Sequence, residues 1–172
     1  MKSTSLTKVA ELKPLLPAQL NNFRHVKLPR DSEFVFINTN KIHKTIGIES
    51  YFQCNEQCTR NNVLIELFCQ IINESTYNVL RTQEQLGYIV ASGIRRFNGM
   101  QGVRFILQSD KSPDYLDSRI ENFISTIGEM LEKMPDEQFK NHMNGLSTVK
   151  LEEAKKISKQ ADIYWVTLFK RK

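Results

Sequence analysis

The stretch GYIVASGIRRF, Gly87–Phe97, decides the fold of this chain, together with GVRFILQS, Gly102–Ser109, which follows it closely. Both runs are rich in β-branched and aromatic residues, which favour strands. Asn98-Gly99 lies between them, and this dipeptide is among the stronger hairpin signals in a single sequence. The sequence therefore predicts two antiparallel strands joined at Asn98-Gly99.

The residues before this hairpin indicate a second strand pair. Glu33–Asn38 is rich in β-formers, and apolar residues alternate with polar ones over Ile46–Gln53. The polar segment Asn38–Lys44 separates the two runs. Because such a pattern is typical of two strands joined by a turn, we expect an antiparallel hairpin here.

Between the two hairpins the apolar period becomes helical. The stripe consists of Val63, Leu64, Leu67, Phe68, Ile71 and Ile72. Thr59 or Asn61 is expected to cap its first turn. Asn73–Ser75 is expected to break this helix. A second helix beginning near Tyr77 is predicted to end before Gly87.

Three further helices are predicted after the central hairpin. Ser112-Pro113 supplies a cap and a first-turn proline for a helix whose apolar stripe runs from Leu116 to Met134. Pro135 starts the next helix, with acidic residues at its positive end. A last stripe comprises Ile157, Ala161, Tyr164 and Leu168.

This order of elements predicts an α+β fold in which helices cover one face of an antiparallel sheet. Three prolines within the first 30 residues indicate an extended linker over residues 1–30. The α+β domain is expected over residues 31–169, and residues 170–172 form a basic tail.

Composition excludes several classes of protein. The 172 residues are 40% hydrophobic and 25% charged, with a net charge of +5. That charge is mild and comes without a nucleic-acid-binding motif, so no nucleic-acid partner is expected. No apolar run is long enough for a membrane span, and no secretory signal precedes the domain. With an odd number of cysteines, three in all, a cytoplasmic protein is the simplest expectation.

The sequence offers no metal site of its own. The histidines, His25, His43 and His142, are scattered and form no H-x-x-E-H or H-E-x-x-H motif. The cysteines, Cys54, Cys58 and Cys69, lack a fourth ligand nearby and are interpreted as packing residues. We therefore expect no metal and no cofactor on this chain.

One segment does point to chemistry. RTQEQLGY places Arg81 near a helix end and Tyr88 at the start of a strand, with a glycine turn between them. A guanidinium and a phenol hydroxyl can both donate to a carbonyl or a developing oxyanion. In the alternative interpretation, Arg81 binds the terminal carbonyls of its helix and Tyr88 simply packs.

The same segment carries a family resemblance. LFCQII (Leu67–Ile72), YNVLRTQEQLGYIV (Tyr77–Val90) and Gly102–Ser109 resemble consecutive blocks of the inverzincin, or pitrilysin-like, zinc metallopeptidases of the insulin-degrading-enzyme (insulysin) type. The order and spacing of these blocks hold from about Leu15 to Trp165. The resemblance implies one α+β repeat of the metallopeptidase type, most of the fourth domain, truncated at its C-terminal end and without the zinc-binding domain.

The resemblance also implies roles for individual residues. Tyr88 would hydrogen-bond the scissile carbonyl or its oxyanion, and Arg81 would bind the substrate backbone. Tyr77 would line a pocket for a substrate side chain. The zinc of the complete family enzyme would belong to another domain.

A second block matches a stretch that the family associates with nucleotide binding. The residues concerned are Glu152, Lys155, Lys156 and Ser158. The lysines and the serine suit phosphate groups, whereas Glu153 and Ala154 depart from the basic residue and proline of the family. A solvated helix face is the alternative interpretation.

Two hypotheses of function follow. In the first, the chain is a non-catalytic portion of a zinc metalloendopeptidase, supplies substrate and oxyanion contacts, and works with peptide substrates and a zinc-bearing N-terminal half. In the second, it is a peptide-binding or regulatory module that docks on a full-length relative. Self-association is also expected from exposed edges where missing parts would dock.

Overall fold

The computed structural model describes residues 26–39, 42, 44–97 and 99–170, with side chains as far as residue 165. Its strands are β1 (Ile46–Glu56), β2 (Ile89–Arg96) and β3 (Met100–Ser109). Its α-helices are α1 (Thr59–Thr76), α2 (Pro113–Glu132), α3 (Asp136–Leu151) and α4 (Ile157–Lys170), and a π-helix spans Tyr77–Gln83. This order confirms the α+β class.

The three strands form an antiparallel sheet in the order β1-β3-β2. Phe105 of β3 pairs with Ser50 of β1 and with Ser92 of β2. The register shifts between Gln53 and Asn55, where β1 carries an irregularity. The predicted pairing of the segments on either side of Asn98-Gly99 is confirmed, although Asn98 itself lies outside the described residues.

Helix α1 begins at Thr59, and the predicted cap, Thr59 or Asn61, is wrong. Cys58 is the N-cap, and its Sγ accepts the backbone N–H of Asn61 at 3.4 Å. The predicted break at Asn73–Ser75 is wrong, because α1 continues to Thr76 and passes directly into the π-helix. Thr76 is buried and its hydroxyl donates to the carbonyl of Ile72 at 2.8 Å, so the polar residues here do not interrupt the helix.

The later helices follow the predicted signals. Ser112 caps α2, its Oγ accepting the backbone N–H of Tyr115, and a proline occupies the first turn. Helix α3 starts after Pro135 and carries two acidic residues in its first turn. Although α3 packs on α1, none of its residues is fully buried, so its predicted apolar stripe is only partly covered.

The hydrophobic core lies between one sheet face and helices α1 and α2. Its buried members are Ile65, Cys69, Ile72, Leu80, Leu86, Val90, Val103, Phe105, Leu107, Leu116, Ile120, Phe123 and Ile127. Burying such a side chain contributes about 1.5–3 kcal/mol, so this layer supplies most of the driving force for folding. Helices thus cover one face of the sheet, as the sequence predicts.

The predicted N-terminal hairpin is wrong. Residues 33–39 form no strand, although β1 is present. Phe34, Val35, Phe36 and Ile37 are all exposed, Phe36 by 92%. Strand propensity describes how well a residue fits a half-buried pleated surface. No neighbouring strand among the described residues offers that surface to this segment.

Parts of the expected domain organisation fall outside the described residues. These are residues 1–25 of the expected linker and residues 171–172 of the basic tail, while residue 170 ends α4. In the described part of the expected linker, the backbone of Val26 and Leu28 forms hydrogen bonds of 3.2 and 2.8 Å with the side chain of Gln53 in β1. None of the described helices combines the length and the apolar character that crossing a membrane requires.

Candidate functional site

The π-helix brings two side chains of the candidate site together. Tyr77 and Arg81 are four residues apart and therefore neighbours on the helix surface. The Nη1 atom of Arg81 donates to the hydroxyl of Tyr77 at 2.8 Å. The guanidinium carbon of Arg81 also lies 4.8 Å from the centroid of the Tyr77 ring, close enough for a cation–π contact.

The turn after the π-helix brings the chain back towards Arg81. Gln85 adopts a positive φ of 49°, and the N–H of Leu86 bonds to the carbonyl of Leu80 at 3.0 Å, which closes the helix end. Leu86 is fully buried and anchors the turn in the core.

Gly87 passes against the backbone of β3 at Gln108. A Cβ atom on Gly87 would collide with the carbonyl oxygen of Gln108 and lie 2.9 Å from its carbonyl carbon. The absence of a side chain therefore permits this approach. It also fixes the position from which the next residue, Tyr88, leaves the turn.

Tyr88 completes the cluster. Its ring centroid lies 5.6 Å from the guanidinium carbon of Arg81, so the cation contacts two tyrosine rings. Tyr88 is 81% exposed and Tyr77 45% exposed. Among the described residues, no hydrogen bond engages the Tyr88 hydroxyl, whereas Arg81 bonds to Tyr77 rather than to a terminal carbonyl. Arg81 therefore does not cap its helix as in the alternative interpretation, whereas the Tyr88 ring packs against Arg81, as that interpretation has it.

An ion pair that the sequence did not reveal supports this turn. The carboxylate of Glu84 accepts hydrogen bonds from Nε and Nη2 of Arg119, both at 2.7 Å. The two hydrogen bonds and the charge of Glu84 raise the pKa of Arg119. The residues are far apart in sequence, and no local pattern indicates their pairing. This two-point contact fixes the end of the π-helix to α2.

A shallow depression adjoins Tyr88 at the end of the sheet. Its volume is about 240 Å³, and its lining is formed by Thr45, Gly87, Tyr88, Gln108, Ser109 and Asp110. Pockets for small molecules usually measure roughly 300–1,000 Å³. The depression is therefore too small to enclose a drug-sized ligand.

The described residues do not fit a metal ion. No group of three His, Cys, Asp or Glu side chains in the described ranges is placed to bind one. His25 and His43 lie outside those ranges, and the backbone carbonyl of His142 accepts a hydrogen bond from Gln70. We therefore assign no chemical step to a metal held by these residues.

The cysteines occupy different environments. Cys54 and Cys58 are exposed, whereas Cys69 is buried in the core. Burial raises the pKa of the Cys69 thiol to about 11. A thiol is a weak nucleophile and a weak metal ligand until it is deprotonated.

The residues of the nucleotide-associated block lie at the surface. Glu152, Lys155 and Lys156 lie in the connection between α3 and α4, and Ser158 belongs to the first turn of α4. The helix-face interpretation therefore fails for the first three. Lys155 Nζ lies 2.7 Å from Glu152 Oε1, so this lysine already has an acidic neighbour.

Comparison with known proteins places the chain among relatives of insulin-degrading enzyme. Residues 67–165 match a family model described as PQQ synthase PqqF-like, C-terminal lobe domain 4. Insulin-degrading enzyme of Homo sapiens is 48% identical over 165 residues, covering 96% of this chain. Insulin-degrading enzyme of Drosophila melanogaster is 41% identical over 147 residues, covering 86% of this chain.

A solved structure agrees with the sequence comparison. A crystal structure of pitrilysin superposes with a TM-score of 0.61 at 25% identity and covers 70% of this chain. The chain spans only 16% of the human relative and 13% of the pitrilysin chain. The similarity therefore concerns one domain of much longer proteins.

Proposed function

This chain belongs to the family of PqqF-like C-terminal lobe domains and is homologous to a non-catalytic domain of insulin-degrading-enzyme-type metallopeptidases, and from this premise we propose that it holds peptide substrate for a zinc metalloendopeptidase. The metal and the group that activates water would belong to a separate, zinc-bearing N-terminal portion. The chain by itself should be inactive.

The observation that carries the proposal is the contact of the Arg81 guanidinium with the rings of both Tyr77 and Tyr88. A hydrogen bond and two aromatic contacts restrict the guanidinium, so little side-chain entropy remains to be lost when it binds a ligand. Arg81 has five N–H donors, and the bond to Tyr77 uses one of them. The remaining donors can bind carbonyl groups of a peptide backbone.

Tyr88 is suited to a different role in the same site. Its ring contacts Arg81, while its hydroxyl is exposed and unused within the described part of the chain. A hydroxyl held in this way can donate to a peptide carbonyl and more strongly to the oxyanion that forms when the carbonyl is attacked. We assign Tyr88 to the scissile carbonyl, Arg81 to the neighbouring backbone and Tyr77 to a substrate side chain.

The test combines this chain with the zinc-bearing half of a related peptidase and a fluorogenic peptide. We expect cleavage only from the mixture. Tyr88→Phe should lower kcat by about 10- to 1,000-fold with a smaller change in KM, as expected for one lost oxyanion donor. Tyr115→Phe is the matched control, because Tyr115 is also a surface tyrosine, 45% exposed, whose ring contacts a cationic side chain, that of Lys111.

Two further variants separate the roles of the cluster. Tyr77→Phe retains the ring but removes the hydrogen bond to Arg81, so its effect should be smaller than that of Arg81→Ala. If Tyr88→Phe cleaves as fast as Tyr115→Phe, Tyr88 does not stabilise the transition state. Zinc-dependent turnover by this chain alone would contradict the division of labour.

A second candidate function rests on the exposed apolar segment Phe34–Ile37. Contiguous exposed apolar residues often mark a contact with another protein. In this alternative the chain is a peptide-binding or regulatory module that docks on a full-length relative. Co-purification with such a relative, without any gain in peptide cleavage, would favour it over the substrate-contact role.

A further inference from the structure

The sheet has a second face, opposite the helices, which we call the outer sheet face. It includes Glu49, Tyr51, Ala91, Arg95, Arg104 and Ile106. In the strand register, these residues alternate with the buried core positions and so point away from α1 and α2. All six are partly or fully accessible to solvent.

Two arginines share one carboxylate on the outer sheet face. Glu49 Oε1 lies 2.5 Å from Nη1 of Arg95 but 3.6 Å from Nη1 of Arg104. The second distance is too long for a hydrogen bond. Two guanidinium groups and one carboxylate leave one excess positive charge. Arg104 is 39% exposed on the central strand, and no hydrogen bond from its guanidinium reaches another described residue.

The surroundings hold Arg95 in place and leave space beside Arg104. The guanidinium carbon of Arg95 lies 4.5 Å from the ring centroid of Phe97 and 5.8 Å from that of Tyr51. Gly93 is the register partner of Arg104 on β2. A Cβ atom at Gly93 would meet nothing within 4 Å, so the space above Gly93, next to Arg104, is open.

We infer that the outer sheet face binds an acidic peptide segment in extended conformation, with Arg104 as its first carboxylate contact and Arg95 as its second. Arg104 pairs with Gly93, and Arg95 pairs with Gly102, so the two arginines are diagonal neighbours. Such neighbours have Cα atoms about 7–8 Å apart. Alternate side chains of an extended peptide are roughly 6.6–6.8 Å apart. Carboxylates at every second residue therefore match the arginine spacing.

The chemistry favours a peptide over a nucleic acid. A nucleic-acid surface needs a stripe of cations for successive phosphates, whereas this face has a single excess charge. An arginine fork pairs with a carboxylate through two hydrogen bonds, and the open space above Gly93 admits a backbone. The surface is distinct from the Tyr77–Arg81–Tyr88 cluster, and the inference does not depend on the role proposed for that cluster.

The test measures binding of a blocked, fluorescein-labelled octapeptide of alternating glutamate and threonine to the full 172-residue chain. The comparison peptide has glutamine in place of glutamate. At low salt, fluorescence anisotropy should show the acidic peptide binding about tenfold or more tightly, the range expected for hydrogen bonds between charged groups. The difference should shrink as salt is added.

Two variants should change the affinity in opposite directions. Arg104→Gln should weaken binding of the acidic peptide about five- to tenfold, because it removes the guanidinium that lies too far from Glu49 for a hydrogen bond. Glu49→Gln should tighten binding about threefold or more, because it frees both arginines from their shared carboxylate. An unfolded protein cannot show such a gain, so Glu49→Gln keeps the test informative even if Arg104→Gln is unstable.

The matched control is Arg60→Gln, which removes the same charge from the exposed surface of α1. Its affinity should stay within about twofold of the parent chain. The inference is overturned if both peptides bind equally, if Arg104→Gln and Arg60→Gln behave alike, or if Glu49→Gln weakens binding.

Discussion

Glu84 and Arg119 form a fork-to-fork ion pair, with two hydrogen bonds of 2.7 Å. Glu84 follows the π-helix that carries Arg81, and Arg119 belongs to α2. The pair therefore joins the turn of the candidate site to a helix that is firmly anchored in the core.

This pair gives the first prediction. Glu84→Gln and Arg119→Gln should each lower the melting temperature by a few degrees, and the double variant should lose less than the sum of the two, because both single changes break the same contact. Circular dichroism melts measure the effect.

Glu129→Gln is the control, since its pair with Lys133 is a surface i,i+4 contact with side chains 67% and 74% exposed. Full additivity of the two changes would contradict a coupled pair.

Gly87→Ala should destabilise the fold, by about 2 kcal/mol or more, because the new methyl group collides with backbone atoms of Gln108 that cannot rotate away. Gly93→Ala is the matched control in β2, which follows Gly87, since the added Cβ meets no atom within 4 Å. Its stability should stay within about 0.5 kcal/mol of the parent chain. Urea unfolding compares the two variants, and equal losses would refute a requirement specific to Gly87.

Glu66 should make the fold sensitive to acid. Burial by itself raises the pKa of its carboxyl, but the hydrogen bonds and charges of Lys150 and Arg96 outweigh burial and lower the pKa below its ordinary value. The distances to these partners are 2.5 and 2.8 Å. Because the folded pKa is the lower one, the stabilisation is complete at neutral pH and is lost as pH falls below about 4.3 towards the folded pKa.

Urea unfolding at a series of pH values from 7 to 3 checks this expectation. Glu66→Gln should lower stability at pH 7 and flatten the decline in acid, so that the two chains converge at low pH. Glu129→Gln, which changes an exposed carboxylate, should retain the slope of the parent chain. Parallel curves for the parent chain and Glu66→Gln would rule out the linkage.

Cys58 and Cys69 should differ in reactivity. Cys69 is 8% exposed and its pKa is raised to about 11, so the thiolate is scarce at pH 8 and shielded from reagents. Mass spectrometry after iodoacetamide treatment should find Cys58 modified well before Cys69, with Cys69 reacting after urea unfolding. Equal labelling of both in the folded chain would show that the Cys69 environment opens readily.

Cys58→Ser should stabilise α1. The Cys58 Sγ accepts the N–H of Asn61 at 3.4 Å, and serine is a far more favourable N-cap because its oxygen accepts more strongly. We expect a gain of about 0.5–1 kcal/mol. Cys58→Ala serves as the reference without a cap. A serine variant no more stable than the alanine variant would mean that the cap at this position contributes nothing.

Much of the candidate site could be predicted from local signals. Arg81 lies near a helix end and Tyr88 follows the glycine turn after it. A turn of this kind reverses the chain direction, so it brings the residues on either side of it close together. The contact between Tyr77 and Arg81 follows from their spacing of four residues. The continuous helix through Asn73–Ser75 could not be predicted, because the hydrogen bond of Thr76 and the burial around it depend on α1 packing into the core.

The sequence by itself determined the elements whose signals are local: the central hairpin at Asn98-Gly99, the helix started by Ser112-Pro113, and the α+β order. Periodicity and turn chemistry act within a few residues, so they can be identified without the fold. Only the tertiary structure decided that Phe34–Ile37 has no strand partner among the described residues, that Glu84 meets Arg119, and that Arg104 faces solvent. Those outcomes depend on which distant segments come together, and no local pattern encodes that.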